Sequence, residues 1–272
     1  MTAIAPAPSG TPSRTETVGA LVRRWRERRR RSQLDLSLAA DVSTRHLSYI
    51  ETGRSLPSRS MIERLCDELD VPLRERNALY LAAGYAPVHR ERPLTDLGAV
   101  RAAVDAVLAG LAPNPAVAVD VRWDLLAAND AALTFLGDVP ASLAGPPFNV
   151  LRATLHPDGL ASRVRDLPRW RAHVLRRVRR QVERTADAGL TALLAEIEGY
   201  PAPGGVPEPP AGPTDELVVP LELATPYGDL AFCYATTVFG SPRDVTLDEI
   251  AIETFFPADE ATAEVLRRAA PA

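Results

Sequence analysis

The chain has 272 residues, of which 46% are apolar and 24% are charged, so it can fill a core and is long enough for two domains. Its formal net charge is −4 at pH 7. It has no apolar run near the ~18 residues of a membrane span, no leader pattern in its first residues, and two distant cysteines, Cys66 and Cys233. These features argue against a membrane protein, a disulfide scaffold and a zinc site, and they predict a cytoplasmic protein without a metal or cofactor.

The charge is unevenly distributed along the chain. Residues 1–92 contain 16 arginines and 11 acidic residues, whereas residues 93–272 contain 15 arginines and 24 acidic residues. The first part is therefore basic and the second acidic. This asymmetry predicts an anion-binding module joined to a domain of different function.

Composition and periodicity divide the chain into four parts. Residues 1–15 are rich in Pro, Ala, Ser and Thr, which predicts a disordered tail. Residues 16–85 have the pattern of five short helices, and residues 86–113 form a linker that contains one amphipathic helix. That helix either packs on the next domain or serves as a signal-carrying or dimer-forming linker. Residues 114–268 mix strand and helix signals, so the prediction is an α+β multidomain protein.

A tight connection between two short helices is the most informative feature of residues 16–85. Ser32 and Ser43 are helix N-cap candidates, and Asp41-Val42-Ser43 leaves only a short turn between their helices. Such a pair predicts a helix-turn-helix, whose second helix enters the major groove of DNA. Leu47 and Ile50 would anchor that helix, and its projecting polar side chains would be Thr44, Arg45, His46, Ser48 and Tyr49.

The stretch SQLDLSLAADVSTRHLSYIETGRSLPS resembles the phage-repressor (Xre/Cro) helix-turn-helix family. Its landmarks are Ser32-Gln33, Leu36, Ala40, Val42-Ser43, Leu47, Ile50-Glu51, Gly53-Arg54 and Pro57-Ser58. The resemblance implies a five-helix, lambda-repressor-like domain. It implies that Gln33 contacts a phosphate, that Thr44, Arg45 and Tyr49 read bases with Ser43, His46 and Ser48 nearby, and that Arg54 and Arg59 touch the DNA backbone.

The same resemblance implies a structural pair between Arg26 and Glu51. Two positions depart from the family pattern, since Asp41 stands where Gly is usual in the turn and Ser37 where Ala is usual. The Arg28–Arg31 run leaves two interpretations open, a phosphate contact or a solvated face.

The order of elements after residue 114 resembles a PAS-like sensor domain. Two strands are predicted around residues 116–121 and 125–129, then a helix at 130–136, a long helical signal at 166–195 and a loop at 199–213. A hairpin around Pro226-Tyr227-Gly228-Asp229 follows, and the tail from residue 245 has the pattern of two helical pieces.

The segment NPAVAVDVRWDLLAAND, following such a helix-turn-helix, resembles the MmyB-like regulators, although residues 141–212 depart from their pattern. That family implies a small apolar, fatty-acid-like effector in the second domain. Aromatic side chains would enclose it, and each of them is alternatively plain core. The candidates are Trp123, Phe135, Phe148, Trp170, His173, Phe232, Tyr234 and Phe239.

The four histidines are scattered and no catalytic motif is present, which predicts that the protein is not an enzyme. The favoured function is a homodimeric, sequence-specific transcriptional regulator that binds operator DNA and a small apolar effector. The alternative is an effector-independent DNA-binding regulator whose second domain serves dimerisation or protein recruitment. A lipid carrier or protein-interaction module is the third hypothesis.

Overall fold

The computed structural model describes residues 16–92, 98–137, 139–201, 219–240 and 242–269. They fall into two compact units. The first comprises residues 1–93 together with 241–248, and the second comprises residues 94–240 and 249–272. The predicted tail at 1–15 and all but the first three residues of the predicted loop at 199–213 lie outside the described residues.

The first unit is helical. Its elements are α1 (Val18–Arg28), α2 (Gln33–Ala39), α3 (Thr44–Glu51), α4 (Arg59–Glu68) and α5 (Leu73–Ala82). The side-chain hydroxyls of Thr17, Ser32, Ser43 and Ser58 accept hydrogen bonds from the first-turn N–H groups of α1 to α4, which satisfies donors that a helix start leaves without a partner. Trp25, Leu36, Leu47, Ile50 and Ile62 are fully buried and form the centre of the core.

A segment from far along the chain belongs to this first unit. Helix α11 (Val245–Asp248) follows Asp244, whose carboxylate lies 3.2 Å from Arg92 Nε. The Val245 N–H donates to the Arg90 carbonyl at 2.8 Å, and the Leu73 N–H donates to the Asp248 carboxylate at 3.3 Å. Nothing in the local sequence of this segment predicts that association.

The second unit is an α+β domain with an antiparallel sheet. Its helices are α6 (Gly98–Gly110), α7 (Asp130–Leu136), α8 (Val150–Leu155), α9 (Leu167–Thr185), α10 (Ala188–Glu198) and α12 (Glu260–Ala269). Its strands are β1 (Ala116–Val119), β2 (Leu125–Ala128), β3 (Leu221–Thr225), β4 (Gly228–Val238) and β5 (Ala251–Pro257). In the described residues the strand order is β2-β1-β5-β4-β3.

Two apolar layers cover the sheet, as the alternation along β1 demonstrates. Val117 and Val119 belong to the large core that includes side chains of α9 and α10, whereas Ala116 and Ala118 pack with Val104 and Leu108 of α6. Successive side chains of a strand point to opposite faces, so one strand contributes to both layers. The linker helix therefore packs on the sheet, which is the first of the two roles considered for it.

Two predictions from the sequence were wrong. The tail does not consist of two helical pieces only, because β5 lies between α11 and α12 and pairs with both β1 and β4. A short apolar run can be strand or helix, and periodicity alone does not distinguish them. The helical signal at 166–195 is two helices rather than one, separated at Ala186, whose φ of 59° places it in the left-handed region that ends helices.

Candidate nucleic-acid interface and ligand cavities

Helix α3 is held to the helical unit by its apolar side, which leaves its polar side outward. Leu47 and Ile50 are fully buried. Thr44 lies at the first turn, where its hydroxyl is 2.9 Å from that of Ser37 on α2. The turn before α3 contains Asp41 at φ 52°, in the left-handed region. Asp adopts left-handed backbone angles more readily than most residues do, which explains how Asp41 can replace the usual Gly.

Arg45, Tyr49 and Arg54 form a stack on the outer side of α3. The Arg45 Nε donates to the Tyr49 hydroxyl at 3.0 Å, and the guanidinium carbon lies 5.3 Å from the ring centroid. The Arg54 guanidinium carbon lies 5.8 Å from the same centroid. Two cations therefore share one aromatic ring, an arrangement that orients them without neutralising their charge.

Arg59, at the start of α4, lies over the Tyr85 ring at 5.1 Å. Within the described residues, no carboxylate forms an ion pair with Arg45, Arg54 or Arg59. All three side chains are exposed. Arg45 lies on α3, Arg54 on the loop after it and Arg59 at the start of α4. Exposed guanidinium groups without a carboxylate partner are the groups that bind phosphates and guanine edges in DNA.

Two arginines of the Arg28–Arg31 run differ from these. Arg29 donates to the carbonyl oxygens of Leu69 and Asp70, and Arg31 lies 3.2 Å from the Glu68 carboxylate. Arg29 and Arg31 therefore tie the end of α1 to the end of α4, and this part of the run is structural.

Glu51, the last residue of α3, bonds to one side chain of α1 and one of α2. Its side chain is 2% exposed and pairs with Arg26 Nε at 2.6 Å and Arg26 Nη2 at 3.0 Å. Its carboxylate also accepts a hydrogen bond from the Gln33 amide nitrogen at 2.8 Å. Gln33 is thus oriented by Glu51, and its phosphate contact stays a prediction. Ser43 uses its hydroxyl as the cap of α3, and His46 and Ser48 are half-buried on that helix.

Among the described residues of the second unit, two apolar cavities border α7, one on each side of the helix. A surface groove of about 420 Å³ is lined by Asp105, Leu108, Ala109, Ala112, Pro113, Ala128, Asn129, Asp130, Ala131, Thr134, Phe135, Tyr227, Val265, Leu266 and Ala269. An inner cavity of about 60 Å³ is lined by Pro115, Val117, Ala132, Phe135, Leu136, Val150, Thr154, Leu160, Leu221, Leu223, Phe232 and Phe255.

The structure brings only part of the predicted aromatic set to these cavities. Phe135 lines both, and Phe232 lines the inner one. Phe148 packs at the edge of the core, and Phe239 packs in the layer of α6 on the opposite side of the sheet. Neither cavity is lined by Trp123, Trp170, His173 or Tyr234.

Trp123 and Tyr234 instead flank Arg177, and Trp170 and His173 pack against Tyr234. The Arg177 guanidinium lies 4.7 Å from the Trp123 ring centroid and 5.1 Å from that of Tyr234. Its Nη1 donates to the carboxylate of Glu253 on β5 at 2.8 Å. The Trp123 indole N–H donates to the Gln181 side chain at 3.0 Å, and His173 contacts the Tyr234 hydroxyl. This cluster is a polar, ion-paired part of the packing between α9 and the sheet.

Burial sets the titration behaviour of the cluster. It lowers the pKa of His173, and the neighbouring arginines Arg176, Arg177 and Arg180 lower it further. It raises the pKa of Tyr234. The sequence did not reveal Glu253 as the partner of Arg177, because the segment that contains it was predicted to be helical. A carboxylate within an apolar alternating segment, IAIETFF, was the available signal.

Within the described ranges, no group of three His, Cys, Asp or Glu side chains is placed to hold a metal ion. Among the helices described, none has the length and apolarity that crossing a bilayer requires. Burial raises the pKa of the Cys66 thiol to about 12, so this thiol is an inert core residue at neutral pH.

Comparison with known families identifies the two units. A helix-turn-helix domain model matches residues 17–79, which defines the first unit as a DNA-binding module. A second model, the MmyB-like transcription regulator ligand binding domain, matches residues 100–269, more than half of the chain. The chain belongs to the MmyB-like transcription regulator family, as the sequence predicted, and it is a DNA-binding regulator with a ligand-binding domain. A search of curated proteins found no match.

Proposed function

We propose that the protein is a homodimeric, sequence-specific regulator that inserts two copies of α3 into successive major grooves. Half-sites would then lie about 34 Å apart, or a multiple of that distance. In this proposal Thr44, Arg45 and Tyr49 contact bases, while Gln33, Arg54 and Arg59 contact phosphates.

The observation that carries the proposal is the stack of Arg45 and Arg54 on Tyr49. Several arginines of this unit pair with carboxylates, and Arg26 is buried beside Glu51. Arg45 is instead exposed and hydrogen-bonded to a phenol, which keeps its remaining N–H donors available for a guanine edge.

The test uses Arg45→Ala, with Arg23→Ala as the matched control. Arg23 is an exposed arginine of the same unit that pairs with Glu27 at 2.7 Å. A preferred duplex is first selected from a random pool, and binding to it and to an unrelated duplex is measured. Arg45→Ala should weaken specific binding by about 1–3 kcal/mol more than non-specific binding. Equal losses on both duplexes would reduce Arg45 to a phosphate contact and contradict the proposal.

We further propose that a small apolar, fatty-acid-like molecule binds the second domain and shifts DNA affinity through its different affinity for two conformations. The ligand-binding family and the apolar groove of about 420 Å³ support this. Ligand pockets are commonly about 300–1,000 Å³. Native mass spectrometry of the purified full-length chain should detect an apolar molecule that adds mass and is lost on denaturation.

The effector-independent alternative has one observation in its favour, since the inner cavity of about 60 Å³ is too small for an effector. It predicts that native mass spectra contain only the protein, and that DNA affinity does not respond to any apolar compound. A response of DNA affinity to such a compound would exclude it.

A further inference from the structure

We propose that the groove and the inner cavity are two chambers of one ligand site, and that the Phe135 side chain is the gate between them. This inference rests on the proposed effector-binding function and says where the effector lies. The ligand it implies has an unbranched apolar tail, which enters the inner chamber, and a small polar head that stays in the groove.

Helix α7 is the wall between the chambers. Asp130, Ala131 and Thr134 line the groove, whereas Ala132 and Leu136 line the inner cavity. Phe135 is the residue that the linings share among the described positions, so its ring borders both spaces. Moving that ring joins the two chambers.

The sizes of the chambers explain why a gate is needed. The inner cavity of about 60 Å³ is smaller than the ~150 Å³ that accommodates a benzene molecule in a protein core. The groove of about 420 Å³ is large enough for a ligand but lies at the surface. A tail in the groove reaches the inner cavity by displacing the Phe135 ring from its edge-to-face contact with Phe232, where the ring centroids are 6.0 Å apart.

The packing of α7 allows its end to move while its start stays fixed. The Asn129 side chain accepts from the N–H groups of Ala116 and Ala132 and donates to the carbonyls of Leu108 and Asn114. This network anchors the first turn. In the rest of the helix, Leu133 is 50% exposed, and Phe135 is half-buried at the edge of the core.

The distribution of polar groups orients the ligand. Thr154 is the one polar side chain among the residues that line the inner cavity, whereas the groove presents Asp105, Asp130, Thr134 and Tyr227. The charged side chains in the groove lining are aspartates, of which Asp105 pairs with Arg101 at 2.9 Å, so a hydroxyl head can hydrogen-bond there without adding a charge. Straight-chain 1-alkanols of increasing length are therefore suitable probes.

The experiment measures the affinity and dissociation rate of a 1-alkanol series with the full-length protein, using Phe135→Ala, Phe135→Leu and Phe135→Trp. Leu133→Ala is the matched control, because Leu133 lies on the same helix and lines neither chamber. A methylene that becomes buried raises affinity about fourfold. In the wild type, the affinity gained per added methylene should fall once the groove is filled. In Phe135→Ala this gain per methylene should continue to longer alkanols, and the alkanols should dissociate faster. In Phe135→Trp the gain should end at shorter alkanols than in the wild type.

Phe135→Leu should be intermediate, and it covers the case in which Phe135→Ala does not fold. Leu133→Ala should match the wild type. Identical length dependence and dissociation rates in all Phe135 variants that bind alkanols would overturn the gate while leaving effector binding intact. Failure of every alkanol to bind any variant or the wild type would overturn both this inference and the apolar effector.

Discussion

Gly19 of α1 lies directly against the backbone of Ile50 in α3. A Cβ atom at position 19 would be 2.1 Å from the Ile50 carbonyl oxygen and 3.1 Å from the Glu51 carbonyl. Backbone atoms of a packed helix cannot yield as a flexible side chain can. Because residue 19 has no side chain, α1 can pack directly against α3, the helix that contains Arg45 and Tyr49.

We expect Gly19→Ala to destabilise the helical unit, although alanine is the better helix former. Overpacking a close contact costs about 1–3 kcal/mol, which exceeds the ~1 kcal/mol propensity gain. Thermal unfolding and duplex binding should both report the change. Gly98→Ala is the control, since a Cβ at position 98 meets nothing within 4 Å. Unchanged melting and DNA affinity in Gly19→Ala would contradict the close packing.

Arg54 and Arg59 are expected to contribute to DNA binding without sequence preference. Each phosphate contact that is removed should reduce the slope of log affinity against log salt by about 0.9. The measurement is duplex binding of Arg54→Ala and Arg59→Ala at several salt concentrations, on preferred and unrelated duplexes. The control is Arg64→Ala, since Arg64 is another exposed arginine of the same unit. An unchanged salt slope for Arg54→Ala and Arg59→Ala would remove them from the interface.

The ion pair between Arg177 and Glu253 should be costly to break from one side. The Glu253 side chain is 3% exposed and that of Arg177 is 22% exposed. Arg177→Ala leaves a buried carboxylate without its partner, so we expect a loss of about 3–5 kcal/mol in the free energy of unfolding, measured with denaturant.

Arg179→Ala is the control for that prediction. Arg179 lies two residues further along α9, is 53% exposed and pairs with Glu198, so its loss should cost ~1 kcal/mol or less. The double variant Arg177→Met with Glu253→Leu should lose less than Arg177→Ala, because no unpaired charge remains. Equal effects of Arg177→Ala and Arg179→Ala would show that the buried pair contributes no more to the free energy of unfolding than the exposed pair does.

Asp120, in the turn between β1 and β2, should make stability depend on pH. Burial raises its pKa to about 6. The folded state therefore keeps a proton that the unfolded state, with a pKa of about 3.9, has lost. The contribution of protonated Asp120 to the free energy of unfolding is fully present below pH ~4 and is lost as the pH rises towards 6.

Asp120→Asn should remove this decline while keeping the oxygen that accepts the Arg122 and Asp124 N–H groups. The comparison is the unfolding free energy of the wild type and the variant between pH 4 and 7. Asp158→Asn is the control, because the Asp158 side chain is 77% exposed. A difference between wild type and Asp120→Asn that does not vary with pH would contradict the raised pKa.

Much of the helical unit followed from local chemistry in the sequence. Ser32, Ser43 and Ser58 cap helices because a short hydroxyl side chain can accept from the N–H groups of the first turn. Leu47 and Ile50 are three residues apart and fall on one side of α3. These determinants act within a few residues, so the order of amino acids contains them. The PAS-like character of the second unit, the domain bounds and the DNA contacts stay predictions.

Tertiary structure decided what depends on residues far apart in the chain. It placed β5 in the sheet, paired Glu253 with Arg177, and grouped residues 242–248 with the helical unit. It also separated the aromatic candidates. Phe135 and Phe232 line the cavities, whereas Trp123 and Tyr234 flank the Arg177 guanidinium, with Trp170 and His173 packed against Tyr234. The sequence around an aromatic residue has the same pattern whether that residue packs in the core or lines a cavity. Which of the two it becomes depends on the volume that distant elements leave unfilled around it.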